Sequence, residues 1–240
     1  MASDRAGYRL KDQFDQEVLG YLSGFKQTAI GSVASTANDV KSGTDPISTA
    51  GSDGLLSSML LTHGDFASGG TASNSVAISA ANASATTTPL SILNRMARLL
   101  DQQNVDSDGR WVVVDPVFAE QLNDENSKLL NNDFSSGSTD ILRNGRIISG
   151  MVRGFRVYMS NNLPASGTGP STINTGGHAS NFGVIVAGHD SAVATASQVE
   201  KVETYRDNDS FADIVRGMHL YGRKILRPEA LVRAKYNLYS

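Results

Sequence analysis

The feature that most constrains this chain is one extended run with apolar side chains on both of its faces. It reads Phe211-Ala-Asp-Ile-Val-Arg-Gly-Met-His-Leu-Tyr-Gly-Arg-Lys-Ile-Leu-Arg-Pro228-Glu-Ala-Leu231. Val215, Gly217, His219 and Tyr221 share one face at period two, and Arg216, Met218 and Leu220 share the other. A strand of that pattern has something to bury on each side, so it must lie between two layers or against another copy of the protein. Pro228 has no N–H to give a ladder, so pairing is expected to stop there. Nothing in the run has the look of a catalytic loop, and it reads as framework.

The 240 residues suffice for one large domain or two modest ones with a real core. An apolar fraction of 40% and a charged fraction of 19% leave room for much Gly, Ser, Thr, Ala and Asn, which favours loops and extended surface. A net charge of −3 argues against tight, sequence-independent binding to nucleic acid, which needs a clustered basic footprint. The absence of cysteine removes disulfides, zinc–thiolate sites and thiol nucleophiles, and suits a reducing cytoplasm. No apolar run reaches the roughly 18 residues of a membrane span. Met1-Ala-Ser-Asp-Arg5 lacks the apolar core of a signal peptide. A soluble protein, made and used inside a cell, is expected.

Asp4 is placed to cap a helix running to about Phe25, because Leu10, Phe14, Val18, Leu22 and Phe25 make one apolar stripe. Gly20 and Gly24 cost that helix about 1 kcal/mol each relative to Ala, so tertiary packing must hold it. From Ala34 to Thr87 small polar residues dominate, with an apolar island Leu55-Leu-Ser-Ser-Met-Leu-Leu61 suited to a short helix. A stretch of that length reads as a surface excursion or an inter-subunit loop. Thr88-Pro89 is a cap followed by a first-turn proline, opening a helix through Gln103. Asp106-Ser-Asp-Gly109 is a turn, Arg110–Val114 a short buried strand, and Asp115-Pro116 opens a helix carrying Phe118, Leu122 and Leu129. Gly145–Gly150, Gly154–Met159 and Phe182–Ala187 read as strands, and Ser191–Val199 as helical. Helices and strands mix without βαβ alternation, so the class is α+β.

Four segments, taken in order, resemble the major capsid proteins of tailed bacteriophages, which have the Hong Kong 97-type fold. They are Asp4-Arg-Ala-Gly-Tyr8 into the first helix, and Pro89-Leu-Ser-Ile-Leu93 through Gly109-Arg-Trp-Val-Val-Val-Asp-Pro116. Next come Gly145-Arg-Ile-Ile through Gly154-Phe-Arg-Val-Tyr-Met-Ser-Asn-Asn-Leu-Pro164, and Val202-Glu-Thr-Tyr-Arg206 through Tyr221-Gly-Arg-Lys-Ile-Leu-Arg-Pro228. The resemblance implies a peripheral domain formed by the spine helix (1–33) and the terminal ribbon (199–240), an axial domain (88–198), and the excursion (34–87) between them. It also implies self-association into hexamers and pentamers of an icosahedral head in the virion, assembled in the bacterial cytoplasm around double-stranded DNA. Portal, scaffolding or decoration proteins would be further partners; no membrane and no cofactor is implied. Family members carry an N-terminal arm and an extended loop before the spine helix. Here the helix begins almost at Met1, so both are expected to be missing, and no arm contact or cross-linking residue is carried over. Phe14, Leu22, Arg216, Arg223, Lys224 and Arg227 are the candidate inter-subunit residues. An encapsulin-like compartment shares the implied fold. A small hydrolase or sugar-binding module, using the Ser/Thr/Asn-rich loops, is the reading from another class.

Chemical motifs add little. His189-Asp190-Ser191 holds the residue types of a hydrolytic triad, but neighbours in sequence are not expected to converge as one, and a polar turn is the plainer reading. His63, His178 and His219 stand without metal-site spacing, and His219 is expected to pack within the ribbon. Asp106–Gly109 lacks the later ligands and bidentate Glu of a calcium loop, Asp207-Asn-Asp209 lacks its glycine, and both read as turns. Arg216, Arg223, Lys224, Arg227, Arg233 and Lys235 form a basic cluster suited to salt bridges between subunits or, less well, to packaged DNA. No catalytic or metal residue is assigned, and the chain reads as not an enzyme.

Overall fold

The computed structural model describes residues 2–24, 27–29, 32–33, 55–66, 75–78, 87–123, 151–164, 183–206 and 213–238. Helix α1 (Ala2–Ser23) is amphipathic and ends where Gly24 takes a left-handed φ of 80° and its N–H returns to the Gly20 carbonyl. Because the helix already begins at Ala2, Asp4 lies inside its first turn and is not the cap. Short strands β1 (Gln27–Ala29) and β2 (Ser32–Val33) pair antiparallel.

Next come β3 (Leu60–Leu61), β4 (Val76–Ile78), α2 (Pro89–Gln102), β5 (Arg110–Val114) and α3 (Pro116–Leu122). The caps of α2 and α3 are those expected. Thr88 Oγ1 accepts from Ser91 N at 3.3 Å, and Asp115 Oδ1 accepts from Phe118 N at 3.1 Å. Strands β6 (Met151–Val152) and β7 (Phe155–Met159) form a hairpin whose turn residues Arg153 and Gly154 both have positive φ, as a two-residue hairpin turn requires. The chain closes with β8 (Gly183–His189), β9 (Val193–Arg206), β10 (Asp213–Ile225) and β11 (Leu231–Leu238).

A seven-stranded mixed sheet runs β3-β11-β8-β5-β7-β6, with β4 also on β11. Tyr236 pairs with Gly183 of β8 and with Val76 of β4, so β11 has neighbours on both edges. Both of its faces are buried as well. Val232, Ala234 and Tyr236 lie on one side, where Tyr236 meets Phe118 of α3 edge-on at 5.2 Å. Arg233 projects from the other, and its Nη1 donates to the Ser23 carbonyl at the end of α1 at 3.1 Å. The sheet is therefore a middle layer, with α2 and α3 on one face and the end of α1 on the other.

Several expectations change. Residues 191–199 are a 3-10 turn (Asp190–Ala192) and the first half of β9, not a helix, because 13 residue pairs with β10 outweigh the indifferent propensity of Ala, Ser and Gln. The island 55–61 is a 3-10 turn (Ser57–Met59) running into β3. The described parts of the 34–87 stretch are no surface excursion: Leu55, Met59, Leu61, Val76, Ala77 and Ile78 are buried, and β3 and β4 join the main sheet. Pairing stops at Ile225 and resumes after the turn Pro228–Ala230, so the terminal span splits. Its first part makes the ribbon and its last part the buried strand β11 of the large sheet. Leu129, Gly145–Gly150, Phe25, His178 and Asp207–Asp209 lie outside the described residues.

Candidate assembly surface

Strands β9 and β10 form a separate two-stranded antiparallel ribbon. Between Leu220 and Tyr221 the register shifts: Leu220 pairs with Val199 but Tyr221 with Ser197, leaving Gln198 as the extra residue of a β-bulge. Period two then gives the ribbon two unlike faces.

Helix α1 covers one face. Phe14 packs against His219 (5.3 Å between ring centres) and edge-on against Tyr221 (4.7 Å). A Cβ on Gly217 would lie 2.5 Å from Leu10 Cδ1, so the glycine lets helix and strand approach closely. Glu17 accepts from the Tyr221 hydroxyl and from Arg223 Nη1 (2.9 Å), while Arg223 stacks over Tyr21 at 5.1 Å. The Tyr221 hydroxyl first, and Arg223 with it, hold the Glu17 carboxyl below its ordinary value against partial desolvation. Burial, followed by the Glu17 charge, pushes the Tyr221 phenol up. At its middle α1 is tied to the end of β7, where Asn162 Nδ2 donates to Asp12 Oδ1 at 2.9 Å.

Among the described residues no element covers the opposite face. Tyr205, Met218 and Leu220 are 45%, 57% and 53% exposed. Beside them Glu203 binds Lys201 and Arg216 (3.0 Å), which keep its carboxyl low, and Arg216 stacks over Tyr205 at 5.0 Å. Among the described residues the ribbon thus has one of the two layers that its sequence calls for.

The candidate residues fall into three groups. Phe14 and Arg223 lie in the joint between helix and ribbon. Arg216 is on the open face; Lys224 is exposed on the same strand, and Arg227 pairs with Glu229 at 3.1 Å where the ribbon ends. Leu22 is only 5% exposed and belongs to the hydrophobic core, so its burial is accounted for inside the subunit. Arg233 and Lys235, at 2% and 1% exposure, are withdrawn from the basic surface cluster, because strand alternation turns them into the covered face of β11. Glu17 and Tyr21 were missed, although they stand three and seven residues after Phe14, the spacing of one helix face.

Of the chemical motifs, Asp106–Gly109 is a turn closed by Asp108 N donating to Asp106 Oδ1, and His63 sits in the 3-10 turn His63–Asp65. Against expectation, Ser191 Oγ and His189 Nδ1 do meet, at 2.8 Å. The ring is oriented by the Asp108 backbone carbonyl and not by a carboxylate, so the three triad residues do not assemble. Among the described residues no group of three or more His, Asp or Glu is placed to hold a metal, and no helix is long and apolar enough to cross a membrane.

Among solved structures, a chain of the mature capsid of bacteriophage PhiM1 superposes with a TM-score of 0.57 at 19% identity, covering 98% of this chain and 63% of that one. A capsid chain of cyanophage P-SCSP1u gives 0.53 at 16% identity, over 100% and 65% of the two chains. A chain from Mycobacterium phage Che8 is 35% identical, with a TM-score of 0.49, over 60% of this chain and 47% of that one. The chain therefore spans about half to two thirds of the length of these matched chains. No curated protein matches it. The architecture is α+β of the Hong Kong 97 type. The phage capsid protein family matches from residue 2 to residue 234, across helix, sheet and ribbon alike, and this chain belongs to that family.

Proposed function

We propose that the protein is a major capsid subunit, whose work is to associate with many copies of itself into hexamers and pentamers of an icosahedral phage head. The carrying observation is the open ribbon face with Tyr205, Met218 and Leu220, in a chain of the phage capsid family. Surfaces of this kind, presented at rotations that close, generate rings and shells. Modest contacts repeated over many copies give a stability that no single interface has. In this reading α1 and the ribbon form the peripheral unit and the seven-stranded sheet with α2 and α3 the axial one, with β11 counted in the latter. The protein is a virion component assembled in the bacterial host and acts without catalysis. It encloses double-stranded DNA by non-specific contact, with portal, scaffolding or decoration proteins as further partners. Arg216, Arg223 and Arg227 already sit in ion pairs within the subunit, which weakens the DNA-facing alternative for that cluster.

Negative-stain electron microscopy of the purified protein, paired with intact mass, tests the reading. Closed shells tens of nanometres across, built from subunits of the measured mass, are expected. A protein that stays monomeric, both as this chain and with any upstream residues of its gene restored, would overturn it. Leu22→Asp is expected to fail at folding. Phe14→Asp should leave a soluble subunit that does not assemble, and wild-type yields of particles from it would refute the role of the helix–ribbon joint.

A further inference from the structure

The turn Asp190–Ala192 holds both legs of the ribbon. Strand β9 leaves from it, and where β10 ends, Leu226 N and Arg227 N both donate to the Ala192 carbonyl, at 2.9 and 3.2 Å. The start of this turn is held by an imidazole, where a hydroxyl or carboxylate is the usual cap. His189 Nδ1 lies 3.1 Å from Ser191 N and 2.8 Å from Ser191 Oγ, and Nε2 lies 2.8 Å from the Asp108 carbonyl. A backbone N–H only donates and a carbonyl only accepts, so Nε2 carries the proton and Nδ1 the lone pair. The ring is therefore neutral and fixed in one tautomer. A proton added at Nδ1 would be donated to Ser191 Oγ, and the Ser191 N–H would lose its acceptor, which is the cap.

The same ring joins the ribbon to the large sheet. It lies against Gly109, where a Cβ would come 3.3 Å from Nε2, and Asp190 N donates to the Gly109 carbonyl at 3.3 Å. Among the described residues, the charged groups around it are Asp190 and Asp108, with Arg156 4.0 Å from the latter, and Arg227, whose Nη1 is 3.5 Å from Ser191 Oγ and whose Nε pairs with Glu229. Arg110, opposite His189 in the β5–β8 register, turns its guanidinium to Asp101 and to the carbonyls of Val105 and Asp106.

We propose that His189 is a pH-operated latch at the root of the ribbon: the neutral ring fixes the ribbon to the sheet, and protonation at Nδ1 releases the turn that holds both legs. Imidazole is the side chain that changes charge between about pH 5 and 8.

The test is amide hydrogen exchange on the full chain at about pH 8 and about pH 5, corrected for intrinsic rates. The amides of Ser191, Leu226 and Arg227 should lose protection by roughly fivefold at the lower pH, the equivalent of one lost cap. Those of Leu100 and Val112 in the core should not change. His189→Gln, whose amide group both donates and accepts at either pH, should abolish the response. Unchanged protection in the wild type, the same response in His189→Gln, or a loss shared with Leu100 and Val112 would each overturn the latch. If His189→Gln does not fold, ring-nitrogen NMR of the wild type decides. The Nε2–H tautomer must give way to the doubly protonated ring in step with the loss of protection, and a ring still neutral when protection is lost rejects the proposal.

Discussion

Replacing Tyr236 with Phe removes one oxygen atom from a fully enclosed polar contact. The Tyr236 hydroxyl lies 2.5 Å from both carboxylate oxygens of Asp115, in a site where the tyrosine is 0% and the aspartate 6% exposed. The ring remains against Phe118, so the change leaves packing almost intact. What it takes away is a side-chain donor to a buried carboxylate that also accepts from the Phe118 N–H. Loss of a charge-assisted hydrogen bond at such a site costs about 2–3 kcal/mol, since the acceptor stays desolvated. For a chain of this size that is a fall in Tm of about 4–12 °C.

The pH dependence follows from the same contact. Burial raises the Asp115 carboxyl above its ordinary value, with the Tyr236 hydroxyl and then the Phe118 N–H acting against the shift. A carboxyl raised by folding contributes stability in full below its unfolded value and loses it as pH climbs through the folded value. Taking away the hydroxyl raises the carboxyl further, so the variant is penalised most at alkaline pH and recovers as the carboxyl gains its proton. Urea unfolding of wild type and Tyr236→Phe at about pH 8 and about pH 5 measures this directly. A penalty below about 0.5 kcal/mol at the higher pH, or one that grows on acidification, would refute the assignment of Tyr236 as the carboxylate's partner.

Two glycine replacements should part company. A Cβ at Gly183 would lie 2.6–2.9 Å from the pinned ring and hydroxyl of Tyr236, so Gly183→Ala should cost about 1–3 kcal/mol. At Gly217 the obstacle is the mobile end of Leu10, so Gly217→Ala should cost less than about 1 kcal/mol; equal losses in thermal unfolding would contradict this. Phe14→Ala should cost about 1–2 kcal/mol by removing the ring contacts to His219 and Tyr221, and its penalty should shrink in a Tyr221→Ala background. Glu17→Gln should lower stability by less than about 1 kcal/mol, because the pair with Arg223 is partly solvated. The Glu17 carboxyl is held low by folding, so its contribution exists above the unfolded value and fades as pH falls; a Glu17→Gln penalty that grows on acidification would be inconsistent with it.

Features that depend on neighbours a few residues away are legible in the sequence. Thr88-Pro89 and Asp115-Pro116 mark the starts of α2 and α3, since a cap and a first-turn proline act on the amides that follow them. The stripe Leu10, Phe14, Val18 and Leu22 defines α1, and the alternation around His219 defines a two-faced strand. Tertiary structure alone decided the rest. Residues 193–199 have no strong local preference and became strand because β10 offered a ladder to all of them but Gln198, the bulge residue. Leu60–Leu61 and Val76–Ile78 are too short to register as a period, yet each found a place parallel to β11. Arg233 and Lys235 read as surface cations, but the strand that carries them is enclosed on both faces and both edges. Strand pairing joins residues far apart in the chain, and no local pattern contains its partner. The same physics left one ribbon face exposed: the sequence calls for a second layer there, and none of the described elements supplies it.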